Sequence, residues 1–180
     1  MADFLTPEPN CQDLIRIFND LFLDELNTTL VLGDDEPIYL PANDEHPHHR
    51  IVFAHGFFAS AMHEIAHWCV AGPERRKLED FGYWYKPDGR TAEEQAEFEQ
   101  VEVRPQAYEW LLSKAAGHKF HFSADNLSSD IGASDSFKQN VLSQVQWFLD
   151  NGIPERPAKL IDALCSFYGT PPLSKADFAL

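Results

Sequence analysis

The chain has 180 residues, 44% of them hydrophobic and 13% aromatic, enough to bury a core without disulfide staples and too apolar for long-range disorder. Its 14 Lys+Arg against 29 Asp+Glu give a net charge of -15, so binding a polyanion such as DNA would work against the long-range field. No stretch nears the roughly 18 apolar residues of a membrane span, no basic and apolar leader opens the chain, and Cys11, Cys69 and Cys165 form no CxxC pair. The reading is a soluble, cytoplasmic protein with free thiols, one domain over residues 1–180, with residues 1–10 and 172–180 flexible.

Apolar residues at three- and four-residue steps (Leu14, Ile15, Phe18, Leu21, Phe22, Leu26) predict a helix over 13–26. Residues 28–32 and 37–40 read as strands around the turn Gly33-Asp34-Asp35, which predicts a hairpin. After a polar loop over 43–50, residues 51–54 form a short buried strand, and a helix over 57–71 follows at once, stopped by Gly72 and Pro73. Residues 81–85 (Phe-Gly-Tyr-Trp-Tyr) read as a strand or aromatic loop closed by the turn Pro87-Asp88-Gly89. Thr91 and Glu94 make a capping-box pattern for a helix reaching Ala116, which Pro105 should kink or split. Strand or loop over 120–132 precedes helices over 134–149 and 157–168, and the tail beyond Pro171 and Pro172 is expected to fray. Helices outnumber strands, and the strands cluster early; the expected class is α+β, a small mixed sheet packed with several helices.

The informative segment is Ala61-Met62-His63-Glu64-Ile65-Ala66-His67-Trp68. Residues four apart share a helix face, so His63 and His67 can aim two imidazoles at one point, the geometry of an HExxH metal site. With 8 His in the chain, random arrangement gives such a pattern roughly 0.03 times. The surrounding positions are almost all apolar, so the helix is buried and its polar groups need partners. A lone histidine there would be a hydrogen-bonded core residue; a pair flanking Glu64 is better explained by a metal.

Two imidazoles leave such a site short of a ligand. Glu99 and Glu102, three apart on the second long helix, share a face; Glu102, set between Val101 and Val103, is the preferred third ligand and Glu99 the alternative, though Glu99 suits a surface carboxylate as well. Two histidines and a carboxylate fit Fe(II), whose open positions take O2 and substrate, and fit Zn or another divalent metal equally; spacing alone does not choose. The HxD pattern of jelly-roll oxygenases is absent. Glu64 is the candidate catalytic acid, base or orienter of the metal's water. His55 is placed for a supporting role behind the ligands or in the substrate pocket, with a hydrogen-bonded buried histidine an equal reading, while His46, His48 and His49 read as a solvated loop. Tyr83, Trp84 and Tyr85, flanked by Asp80 and Asp88, could wall a pocket for a cationic group, with Asp80 or Asp88 holding its ammonium. Lys114, His118 and Lys119 are too few for a phosphate or nucleic-acid face against so negative a total.

The segments at 33–41, 50–72, 80–85 with 87–90, 98–107 and 151–157 together resemble the bacterial elongation factor P hydroxylase family over nearly the whole chain, excluding the first ten residues and the tail. The resemblance implies hydroxylation of the β-lysylated lysine of elongation factor P, a protein substrate, by a metal centre of two histidines and one carboxylate. It also implies a compact α+β fold similar to that of a metal-dependent ribonuclease of rRNA maturation, with His63, His67 and a glutamate of segment 98–106 as ligands. The rival from another enzyme class is a zinc hydrolase, a peptidase or ribonuclease in which Glu64 activates a metal-bound water. A third reading, a non-catalytic module with a structural metal, predicts unfolding when His63 is removed.

Overall fold

The computed structural model describes residues 8–81, 89–123 and 133–180. Its first helix, α1 (Cys11–Leu26), starts where the Asn10 side chain accepts from the Asp13 N–H and ends where Asn27 turns left-handed at φ 50°. Three strands follow: β1 (Thr28–Leu32), β2 (Ile38–Leu40) and β3 (His49–Phe53). Next come α2 (Phe58–Val70), a 3-10 turn at Arg75–Lys77, and the long α3 (Ala92–Ala115). α4 (Asp135–Asn151), α5 (Glu155–Tyr168) and a second 3-10 turn at Lys175–Asp177 complete the order. The fold is α+β with a small mixed sheet, as the sequence pattern predicts.

The hairpin is not formed. Strand order is β1-β3-β2, with β3 parallel to β1 (Leu30 beside Ile51) and antiparallel to β2. The apolar run of β3 takes the centre, where Ile51 and Phe53 are buried, and the 33–37 link carries the chain past it. Local turn chemistry favours a hairpin, but pairing β3 on both edges, with Ile51 and Phe53 buried, outweighs it. Gly33 permits the close approach that results: a Cβ there would lie 2.3 Å from Val52 Cγ1, while its N–H bonds the Phe53 carbonyl at 2.8 Å. The outer edge of β1 is closed by α1, whose Asn19 Oδ1 accepts from the Leu30 N–H and the Thr29 hydroxyl.

α3 opens with the expected capping box of Thr91 and Glu94 and then runs unbroken through Pro105, which does not split it. The carbonyl orphaned by the missing N–H belongs to Val101, a surface residue, and the helix is held from several sides by α2, α4 and α5. The chain end differs from the expected frayed tail: Phe178 is buried edge-on to Trp110 at 5.4 Å, and Asp177 caps its own turn at Ser174. One apolar anchor after the double proline is enough to dock the segment.

α2 bears no side-chain cap at its start, and its C-terminal carbonyls are gathered by a distant residue. Arg156, near the start of α5, donates from Nη1 to Trp68 O at 2.9 Å and from Nη2 to Cys69 O at 3.4 Å and Ala71 O at 2.9 Å. Its guanidinium also lies 4.7 Å from the Trp68 ring, which Phe18 and Phe22 of α1 pack edge-on. A cation suits the negative end of a helix dipole, and the fork satisfies carbonyls no backbone N–H reaches. Arg156→Ala is expected to cost about 3 kcal/mol of stability in denaturant unfolding, with Arg156→Lys recovering less than half. A loss under about 0.5 kcal/mol would remove the capping role.

Candidate metal centre

The polar face of α2 meets a polar stripe on α3. Glu102, Gln106, Glu109 and Ser113 recur at four-, three- and four-residue steps, so all point one way, and all four are buried. Opposite them, helical spacing places His63 and His67 one turn apart with ring centroids 4.7 Å from each other. His67 Nε2 lies 3.2 Å from His63 Nε2 and 3.3 Å from Glu102 Oε1, and the three donor atoms all lie within 4.8 Å of one another. A cation about 2.1 Å from each of two ligands leaves them roughly 3 Å apart, so two imidazole nitrogens and a carboxylate oxygen at these separations suit a divalent metal. Glu102 is 1% exposed, and a carboxylate buried so deeply needs polar or cationic partners.

Two neighbours orient these groups, and neither was singled out from the sequence. Glu109 Oε2 accepts from His63 Nδ1 at 3.1 Å, which fixes the tautomer and leaves Nε2 facing His67 and Glu102. Gln106 Nε2 donates to Glu102 Oε2 at 3.4 Å and to the Ser123 carbonyl at 2.8 Å, while Gln106 Oε1 accepts from the Ser123 N–H at 3.0 Å. The signal that would have found them is the stripe itself: Glu109 lies seven residues beyond Glu102, two helical turns along the same face.

Electrostatics follow from this burial. Desolvation works against the His63 imidazolium, but the Glu109 charge and hydrogen bond, with Glu64 and Glu102 behind them, raise its pKa from 6.5 to about 10. Burial pushes the Glu64 carboxyl up, partly opposed by His63 and His67. Glu64 and both histidines line one cavity of about 450 Å³, together with Pro37, His55, Phe81, His118, Lys119 and Phe120.

The remaining sequence candidates fall as follows. Glu99 does not reach the centre: its oxygens accept from the Ser134 N–H at 3.1 Å and hydroxyl at 2.7 Å, at the start of α4. His55, held left-handed at φ 58°, lines the cavity half exposed, with Asp35 at 3.8 Å. Asp80 is taken by Arg75, whose Nε and Nη2 both donate to its carboxylate, and its backbone bridges Tyr39. Tyr83, Trp84, Tyr85 and Asp88 lie outside the described residues. The loop histidines serve the loop: His49 Nδ1 accepts from the Ala42 N–H, and His48 pairs with Asn27.

The family described as elongation factor P hydroxylase matches residues 17–178. The elongation factor P lysine hydroxylase of Haemophilus influenzae is 58% identical over 163 residues, covering 91% of this chain and 92% of its own. With a family match over nearly the full length and a relative this similar, the chain belongs to the elongation factor P hydroxylase family.

Proposed function

We propose that this protein hydroxylates the β-lysylated lysine side chain of elongation factor P in the cytoplasm, with His63, His67 and Glu102 holding an iron(II) ion and O2 as co-substrate. The observation that carries the reading is the convergence of the two Nε2 atoms and Glu102 Oε1, with both histidines lining a cavity of about 450 Å³. The family membership supplies the reaction class.

A bound iron(II) would supply the activation of dioxygen. The protein's share is positional. Glu109 holds the His63 ring by its Nδ1–H, and Gln106, tied to Ser123, holds the far oxygen of Glu102, so neither ligand has to reorder when a cation enters. Apolar and aromatic walls from Phe81, Phe120 and Ala59 limit water at the reacting side chain. Glu64, between the two histidines and raised by burial, keeps its proton to higher pH than an ordinary glutamate and is placed to donate it into the cavity.

The test is metal analysis of protein purified without oxygen, followed by mass measurement on β-lysylated elongation factor P. Iron and the gain of one oxygen atom by the factor are expected; zinc with chain cleavage would favour a hydrolase. Glu64→Gln is expected to retain its metal and lose turnover by about a hundredfold or more, the usual worth of a positioned acid. Full turnover in Glu64→Gln would leave Glu64 a wall residue.

A further inference from the structure

Lys114, His118 and Lys119 are sparse along the chain, but the fold adds Lys138 from α4 and sets the group beside the metal cleft. A second cavity of about 740 Å³ lies between the end of α3 and the start of α4, lined by Lys114, Lys119, Lys138 and the aromatic trio Trp110, Phe120 and Phe122. It shares His118, Lys119 and Phe120 with the metal cavity, so the two form one continuous surface. Trp110 and Phe120 stack at 5.2 Å, Phe122 stands edge-on to both, and Lys138 Nζ lies 5.9 Å from the Phe122 ring, giving an aromatic surface edged by ammonium groups.

The charge state of these lysines sets them apart. Among the described residues Lys77 pairs with Glu74, Lys159 with Glu25 and Glu155, and Lys175 with Asp150. Lys114, Lys119 and Lys138 are the described lysines without an ion pair, and all three face this cavity. In a chain of net charge -15, with carboxylates available for pairing, three unpaired ammonium groups at one site leave their charge free for an incoming anion. Asp135 and Asp177 also line the cavity; Asp177 is tied to the Ser174 N–H at 2.8 Å, and Asp135 sits in the first turn of α4. A nucleic-acid backbone would meet both carboxylates and the overall negative field, whereas a protein segment can place its acidic side chains at the lysines alone.

We infer that this basic and aromatic shelf docks an acidic segment of the protein substrate and so delivers the target lysine to the metal cavity; this rests on the function proposed above. The shelf answers how a strongly acidic enzyme meets a protein partner: attraction is local, at the cleft's own edge.

The experiment measures binding of fluorescently labelled, β-lysylated elongation factor P to the metal-loaded full chain, alongside turnover. Lys114→Glu with Lys138→Glu, outside the metal cavity, is expected to raise Kd at least about tenfold at low salt and to flatten its salt dependence, while turnover at saturating factor and metal content stay at the wild-type level. Lys114→Ala with Lys138→Ala gives a smaller rise in the same direction. A charge-reversed protein binding within about twofold of wild type overturns the shelf, as does a wild type that does not bind the factor, or one from which single-stranded RNA displaces it at equal concentration. Wild type that binds through the lysines yet does not hydroxylate sinks the reaction and leaves the shelf; hydroxylation with unaltered variant binding does the reverse.

Discussion

Glu102→Ala protein, prepared without oxygen, is expected to fold as the wild type does, to hold little metal, and to hydroxylate nothing detectable. The substitution removes the oxygen that sits 3.3 Å from His67 Nε2 and the acceptor that Gln106 Nε2 reaches at 3.4 Å. Gln106 keeps both its bonds to Ser123, so no buried amide is stranded, and α3 retains its packing. Metal affinity should fall on the order of a hundredfold to a thousandfold, since two imidazoles remain to hold what three ligands held. The control is Glu99→Ala. That carboxylate accepts from the Ser134 N–H and hydroxyl, so its loss loosens the start of α4, costing about 1 kcal/mol, and leaves metal content whole. Metal retained by the first variant and lost by the second would reverse the assignment of the third ligand. Unfolding of His63→Ala in the same series would shift the reading toward a structural metal.

Glu102 lies beside the two histidines and Glu99 does not, for a physical reason. Both share a helical face in outline, but Glu102 continues into the buried stripe of Gln106 and Glu109, whereas Glu99 turns to Ser134 at the start of α4. Spacing within one element was legible: the α2 pair, the α3 capping box and the helices themselves are written at three- and four-residue steps. Relations between elements were not. β1 and β2 carry a turn between them that suits a hairpin, and only the demand of β3 for two paired edges separates them. Lys138 lies far in sequence from Lys114 and reaches the same cavity through the α3 and α4 packing. Glu109 was hidden differently: helix α3 is buried on several sides, so its polar stripe does not stand out against one apolar face. The partner of Asp80 was not legible either. A carboxylate beside aromatics suits an ammonium, but Arg75, five residues earlier, reaches it first.

Glu109→Gln is expected to change how metal affinity depends on pH more than it changes affinity at neutrality. In the metal-free protein the Glu109 carboxylate keeps His63 protonated to about pH 10, although burial opposes it. A cation entering at His63 Nε2 must expel a proton, so wild-type affinity should climb about tenfold per pH unit from neutrality toward pH 10. Stability of the metal-free protein runs the other way. A histidine whose folded pKa lies above its unfolded value of 6.5 contributes fully below 6.5, and that contribution fades as pH rises to about 10. Glutamine keeps an acceptor for the Nδ1–H but removes the charge, so the variant should lose most of the slope in both measurements. Glu109 also strengthens His63 as a ligand once the metal is bound, and that loss lowers affinity by about tenfold to a hundredfold at the alkaline end. Near pH 7 the two effects oppose each other, because the variant has less proton to displace, and the gap should narrow. Glu64, raised by burial and in part by the Glu109 charge, shifts down in the variant, so its contribution is read from Glu64→Gln measured alongside. Zinc or cobalt titrations from pH 6 to 9, with proton release read in buffers of different ionisation enthalpy, make the measurement. Equal slopes in the two proteins would mean that Glu109 orients the ring without holding its charge.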